Sequence, residues 1–190
     1  IGETTMKAFC NDNEGFAIYA AGYTGNKIGE ENSTKLVGTT ASGNAFIETG
    51  TATTVGDPDI SNWAMKLAIA QDSGDTASPN AFAIDNGFDA YHVVPSTYTK
   101  AAHKNSITDM ADGTGGVKLT TTYSAYISRT QPADTYSGQV VYTLVHPSSA
   151  IPIEPDKVGV NYHANGSSFV DGTKSNMIVY SQNPMYIANV

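Results

Sequence analysis

The sequence predicts an all-β fold, and three observations carry this prediction. Apolar and polar residues alternate in several short segments, which is the period-two pattern of half-buried strands. Gly, Asn, Asp, Ser and Thr separate these segments and are typical of turns and loops. No segment has apolar residues at helical spacing over two turns together with a capping residue at each end. The pattern leaves room for one short helix, at Thr99–Lys104.

Two segments are the clearest strands. Residues 16–23 follow a turn rich in Asn, Asp and Gly, and residues 62–69 alternate so that one face buries the only tryptophan. That face carries Trp63, Met65, Leu67 and Ile69. We expect residues 117–128 to form a strand that pairs with residues 138–145. Shorter strands are predicted at 36–37, 45–47, 81–84 and 90–94.

Residues 132–145 combine a turn, a tyrosine and a strand. Pro132 and Asp134 favour the turn. In immunoglobulin-like sandwiches a tyrosine two residues before a core position hydrogen-bonds back to the bend between strands, and Tyr136 and Gly138 have that spacing. Because the core position is glycine, an inter-sheet disulfide at this point is excluded.

The strand after this turn places Val140, Tyr142 and Leu144 on one face. The sequence therefore predicts an immunoglobulin-like antiparallel β-sandwich with a C-terminal strand extension. Its expected structural residues are Tyr136, Trp63 and Tyr142.

Composition narrows the class of protein. The chain of 190 residues has a net charge of −8, and only 15% of its residues are charged, which is low for a globular protein and typical of β-rich extracellular surfaces. Its ten Lys and Arg residues are dispersed, which disfavours nucleic acid as a partner. No apolar run is long enough for a membrane-spanning helix. We expect an extracellular, cell-surface location and an export signal that the sequence beginning at Ile1 does not include.

The chain divides into three parts by composition. We predict a β-sandwich domain at 1–147, a proline-rich connector at 148–155 and a β-hairpin tail at 156–190. The tail is too short for a core of its own. It packs on the main domain, or its second half lies outside the sequence, or it adds strands to another molecule.

The main domain resembles uncharacterised secreted β-sandwich surface proteins of ultra-small, host-attached bacteria of the candidate phyla. The segments that carry the resemblance are 15–20 (GFAIYA), 61–67 (SNWAMKL), 91–95 (YHVVP), 123–127 (YSAYI), 131–136 (QPADTY) and 142–147 (YTLVHP). The resemblance implies surface exposure in a cell-wall context and brings no catalytic residues with it.

The tail resembles the first half of an internalin-type B-repeat, a small β module common in bacterial adhesins. The matching segments are 158–166 (VGVNYHANG) and 169–172 (FVDG). The tail departs from that family because it ends before the aromatic second half that such repeats carry.

Sequence motifs for catalysis are missing: there is no metalloprotease His-Glu pair, nucleophile elbow, phosphate-binding glycine loop or paired-cysteine zinc site. Cys10 is interpreted as a small buried residue, with a reactive or interchain thiol as the alternative. The histidines His92, His103, His146 and His163 lie in different segments. We therefore expect no enzyme activity.

Two kinds of modification or ligand site are candidates. Turn carboxylates could hold calcium, although the same residues form ordinary β-turns. The calcium candidates are Asp57, Asp59, Asp72, Asp75, Asp85 and Asp89. An intramolecular crosslink could involve the amine of Lys7 or Lys66, with Glu48 as the neighbouring acid, and the alternative is that both lysines are simply exposed.

The function predicted from the sequence is a non-enzymatic, extracellular structural or adhesive protein that assembles into a filament by strand addition. Expected partners are copies of itself, other surface proteins or glycans. The alternative is a carbohydrate-binding module, with or without calcium. A hydrolase with a dispersed triad is a third hypothesis, which we disfavour.

Overall fold

A computed structural model describes residues 2–24, 27–39, 45–50, 60–111, 113–147 and 178–181. All regular structure in these ranges is β, so the all-β prediction is confirmed. The strands are β1 (Gly2–Phe9), β2 (Phe16–Thr24), β3 (Lys27–Ile28), β4 (Leu36–Gly38), β5 (Phe46–Thr49), β6 (Asn62–Gln71), β7 (Ala83–Ile84), β8 (Thr99–Lys104), β9 (Val117–Tyr126), β10 (Tyr136–Ser137), β11 (Gln139–Val145) and β12 (Ile178–Ser181).

The strands form two sheets. The seven-stranded sheet has the order β10-β4-β5-β6-β9-β1-β12, and the five-stranded sheet has the order β11-β2-β8-β7 with β3 also paired to β2. Pairing is antiparallel except between β5 and β6, which run parallel. The architecture is sandwich-like, and the finer immunoglobulin-like topology stays a prediction.

The core lies between the two sheets. Alternate residues of the seven-stranded sheet turn inward, as the period-two pattern requires, and meet inward residues of the five-stranded sheet. The buried side chains of the first sheet include Met6, Ala8, Ile47, Trp63, Met65, Leu67, Val117 and Leu119. Those of the second include Phe16, Ile18, Ala20, Ala101, Ala102 and Leu144. The predicted burial of Trp63, Met65 and Leu67 is confirmed, but Ile69, the last residue of β6 before a register shift, is exposed.

One predicted strand pairing is wrong. Strand β9 pairs with β1 and β6, whereas β11 pairs with β2 in the opposite sheet. The chain changes sheets at Gly138, which lies between β10 in the first sheet and β11 in the second. Gly138 is exposed, so its expected core position is wrong. A Cβ at Gly138 would lie 2.8 Å from Leu36 Cδ2 and 3.0 Å from the Lys35 carbonyl, so a larger residue would require these neighbours to shift slightly.

Two further elements differ from the sequence prediction. Residues Thr99–Lys104 form strand β8 and not a short helix, because pairing with β2 and β7 overrides the helix propensity of Ala and Lys. Strand β1 was not predicted, since only Met6 and Ala8 alternate into the core after a polar start. The predicted strand at 90–94 is reduced to a single bridge between Met65 and His92.

The predicted connector at 148–155 lies outside the described residues, as does most of the predicted tail. Of that tail the structure describes β12, which pairs antiparallel with β1. The strand extension therefore joins the same sheet as the main domain.

Gly15 provides a test of how tightly β2 and β8 are joined. Gly15 and Gly87 both have left-handed backbone conformations, with φ of +74° and +76°. A Cβ at Gly15 would lie 1.9 Å from the Lys104 carbonyl oxygen, whereas nothing lies within 4 Å of one at Gly87. Gly87→Ala should lower the free energy of unfolding by about 1–2 kcal/mol, and Gly15→Ala by roughly a further 1–3 kcal/mol through the clash. Urea denaturation measures both, and equal losses would contradict the clash.

Candidate functional site

Three hydroxyl groups connect the two sheets inside the sandwich. The Tyr142 hydroxyl, on β11, lies 2.9 Å from Thr121 Oγ1 and 3.0 Å from the Tyr123 hydroxyl, both on β9. Burial raises the pKa of Tyr142 well above its usual value of 10 and also raises the pKa of Tyr123. We call Thr121, Tyr123 and Tyr142 the hydroxyl bridge, and it holds the sheets together through neutral hydrogen bonds.

Tyr136 fixes the bend before the sheet crossing. Its hydroxyl donates to the Pro132 carbonyl at 2.8 Å and accepts from Gln131 Nε2 at 2.7 Å. This bond to the backbone four residues upstream has the form that the tyrosine spacing predicts. Trp63 is held in a similar way, since its indole N–H donates to the Thr34 carbonyl at 2.8 Å.

A fully buried lysine closes the loop between β6 and β7. Lys104 Nζ donates to Asp72 Oδ1 at 2.7 Å and to the carbonyls of Asp75 and Asn80 at 2.8 and 3.2 Å. These three acceptors satisfy the three N–H groups of the ammonium. The other carboxylate oxygen of Asp72 accepts the Phe82 amide at 2.9 Å. Asp72 is a calcium candidate in the sequence, with an ordinary turn as the alternative, whereas the burial of Lys104 is not predicted because no local pattern reveals it.

The calcium candidates do not converge in the part of the chain that the structure describes. Asp57 and Asp59 lie outside it. Asp75 is exposed, and its pKa is lowered chiefly by the Asn80 side chain and also by the Ala77 amide. Asp89 is exposed as well. Across the described ranges, no group of three or more His, Cys, Asp or Glu residues is placed to hold a metal ion.

Asp85 contacts one histidine and one lysine side chain. Its Oδ2 lies 2.7 Å from His103 Nδ1 and 3.6 Å from Lys100 Nζ. This cluster joins the turn after β7 to strand β8. The Asp85 carboxylate therefore accepts a hydrogen bond from the His103 ring or shares its proton, and forms an ion pair with Lys100.

The other histidines occupy separate places. His92 stacks on Phe88, with ring centroids 4.2 Å apart. His146 Nε2 lies 3.2 Å from Asp12 Oδ2 and 3.6 Å from Glu14 Oε2. His163 lies outside the described residues. The structure thus does not bring His92, His103 and His146 into one site.

The candidate crosslink lysines, Lys7 and Lys66, lie on β1 and β6. Lys7 Nζ lies 4.6 Å from the centre of the Phe9 ring, which is within cation–π distance. Lys66 stands opposite Thr122 on β9. Glu48 pairs with Lys35, at 2.9 Å between Oε1 and Nζ.

Cys10 is buried, which raises the pKa of its thiol, and is interpreted as a packing residue.

The outer edge of β1 is the candidate functional site. On one side β1 pairs with β9 over Gly2–Ala8, and on the other it pairs with β12 over Met6–Phe9. The register puts Ile178 opposite Phe9 and Ser181 opposite Met6. Among the described strands, β12 pairs with β1 alone. We call Met6–Phe9 the β1 edge, and what it does chemically is accept a strand through backbone hydrogen bonds.

Comparison with protein-family models, curated proteins and solved structures finds no match for this chain. In the described ranges no helix has the length and apolar character needed to cross a membrane.

The hydroxyl bridge should make stability depend on alkaline pH. Because the folded-state pKa of Tyr142 is above that of the unfolded chain, its contribution is complete below about pH 10 and is lost as pH rises through the folded value. Tyr142→Phe should cost about 1 kcal/mol at neutral pH and should reduce the loss of stability above pH 10. Denaturation curves across this range test it, with Tyr98→Phe as the control. An unchanged alkaline loss in Tyr142→Phe would contradict the role of the bridge.

Lys104 should contribute far more stability than a surface lysine. Lys104→Met removes the partner of Asp72 and should lower the free energy of unfolding by about 3 kcal/mol. The matched control is Lys100→Met, whose partner Asp85 lies 3.6 Å away at a more exposed position, and it should cost under about 1 kcal/mol. Thermal and urea unfolding provide the measurement. A similar loss in the two variants would contradict the structural role of Lys104.

Proposed function

We propose that the protein is an extracellular structural or adhesive subunit of a cell surface that acts by contact and assembles through strand addition. The observation that carries this proposal is the pairing of β12, from the far end of the chain, with the β1 edge. An edge that accepts a strand separated from it by most of the sequence can bind the same strand from a neighbour.

The hydrogen bonds inside the folded body support a mechanical role for the protein. Cys10 is the only cysteine, so the chain forms no internal disulfide. Buried polar contacts stabilise the body instead of a disulfide. The hydroxyl bridge connects the sheets, and Lys104 binds the loop that begins at Asp72. Satisfied buried polar groups favour a single rigid packing, which suits a subunit that transmits force.

Composition and resemblance support the proposed location. The low share of charged residues is typical of extracellular β proteins. The resemblance of the main domain to secreted surface proteins, and of the tail to an adhesin repeat, favours a place on the cell envelope. Neither resemblance points to catalysis.

Electron microscopy and light scattering of the purified full chain test the proposal. At low protein concentration we expect single subunits, and at high concentration filaments or regular oligomers, because strand addition between copies follows mass action. Binding to whole cells or isolated envelopes tests the adhesive form of the proposal. A monomer at every concentration that binds no envelope would contradict it. Glycan binding that is lost with a calcium chelator would instead favour the carbohydrate-binding alternative.

A further inference from the structure

We infer that Ile178–Ser181 of one copy pairs with the β1 edge of a second copy, in the register that the structure has within one chain. This inference rests on the proposed function and specifies its donor, its acceptor and their alignment. Tyr180 of the donor then stands opposite Lys7 of the acceptor, and Val179 opposite Ala8.

The donor strand is short and lies at the margin of the described sheet. It has four residues and pairs with β1 alone among the described strands. By contrast, β1 itself pairs with β9 over Gly2–Ala8 as well as with β12. Short elements at the margin of a structure open at a fraction of the global free energy of unfolding. Release of β12 therefore does not require the sandwich to unfold.

The acceptor edge keeps its shape when β12 leaves. Met6 and Ala8 are buried in the core, and β9 holds the opposite side of β1. The departing strand exposes a row of backbone N–H and C=O groups, which is a template for another strand. An incoming strand needs no rearrangement of the acceptor.

The register also favours one kind of donor. Lys7 stands opposite Lys118 on β9 and opposite Tyr180 on β12. Because like charges in directly opposed positions destabilise a sheet, a donor with Lys or Arg at this position would be disfavoured. The chain's own β12 has an uncharged residue, Tyr180, at this register position.

The length of chain before β12 allows it to reach a neighbour. Thirty residues lie between Pro147 and Ile178, and a chain of that length spans at most roughly 100 Å. A folded body of this size has a radius of gyration of about 15 Å. The span therefore exceeds the distance between the edges of adjacent copies.

Protein concentration decides between pairing within and between chains. Both arrangements form the same hydrogen bonds, so they differ mainly in the entropy of joining. A tethered strand has an effective concentration on the order of millimolar. Exchange between copies becomes dominant when the local concentration approaches that value, as it does for subunits packed side by side on a surface.

Disulfide trapping in the full chain tests the inference. Lys7→Cys and Tyr180→Cys are made separately, each with Cys10→Ala so that only one thiol remains, and one chain is isotope-labelled. Opposed residues of an antiparallel pair lie about 4.5–5.5 Å apart between Cα atoms, which suits a disulfide. Mixing the two chains under mild oxidation should give a mixed disulfide whose yield rises with concentration. Peptide mass spectrometry identifies it.

The matched control is Lys7→Cys mixed with Val179→Cys. A shift of one residue turns the side chain to the other face of the sheet, so this mixture should give little mixed disulfide. Equal yields from both mixtures would overturn the proposed register. If the Lys7→Cys/Tyr180→Cys double variant forms only internal disulfides while the separate chains never join, exchange itself is overturned.

Proline substitutions test the same pairing without oxidation. Successive N–H groups of a strand point to opposite edges, so only one of Val179→Pro and Tyr180→Pro removes a hydrogen bond to β1. The variant that loses this hydrogen bond should not assemble, and the other proline variant should still assemble. The sandwich domains of the two variants should unfold at nearly equal temperatures. Filaments that persist in both variants would overturn the inference but leave the proposed function standing. Exchanged dimers that form no larger assembly and bind no envelope would support the inference and contradict the proposed function.

Discussion

The two-sheet body depends on the crossing of the chain at Gly138. One residue separates β10, in the seven-stranded sheet, from β11, in the five-stranded sheet. A side chain at this position would require the end of Leu36 and the Lys35 carbonyl to shift slightly. Tyr136 fixes the bend before it, and Tyr142 connects the sheets after it. Two hydrogen-bonded tyrosines therefore flank the point at which the chain passes from one sheet to the other.

The sequence predicts the local features well and the long-range pairing poorly. Strands with clear alternation, such as those around Phe16 and Trp63, are found where the pattern puts them. The partner of β9 could not be predicted, because the pattern of a strand determines which face is buried and not which strand lies beside it. Proximity in the sequence favoured β11, but β1 takes the position beside β9. Strand β8 was missed because its propensity is helical and only tertiary pairing makes it a strand.

The candidate site follows the same division. The sequence shows that the tail contains strand-forming residues. It does not predict that the tail pairs with β1, because β1 itself was not predicted as a strand. Likewise, Asp72 was noticed as a turn carboxylate, but its role depends on Lys104, more than thirty positions away. Residues that act through partners distant in the chain are beyond the reach of local pattern, whereas a bend such as that at Tyr136 is not.

The central place of β1 also bears on how the molecule is made. The first residues of the chain pair with residues 117–123 and then with β12, so the large sheet is completed late in synthesis. Folds with such distant contacts form slowly. Until β12 has been synthesised, β1 of the nascent chain has an unpaired edge to which strands of other chains can add.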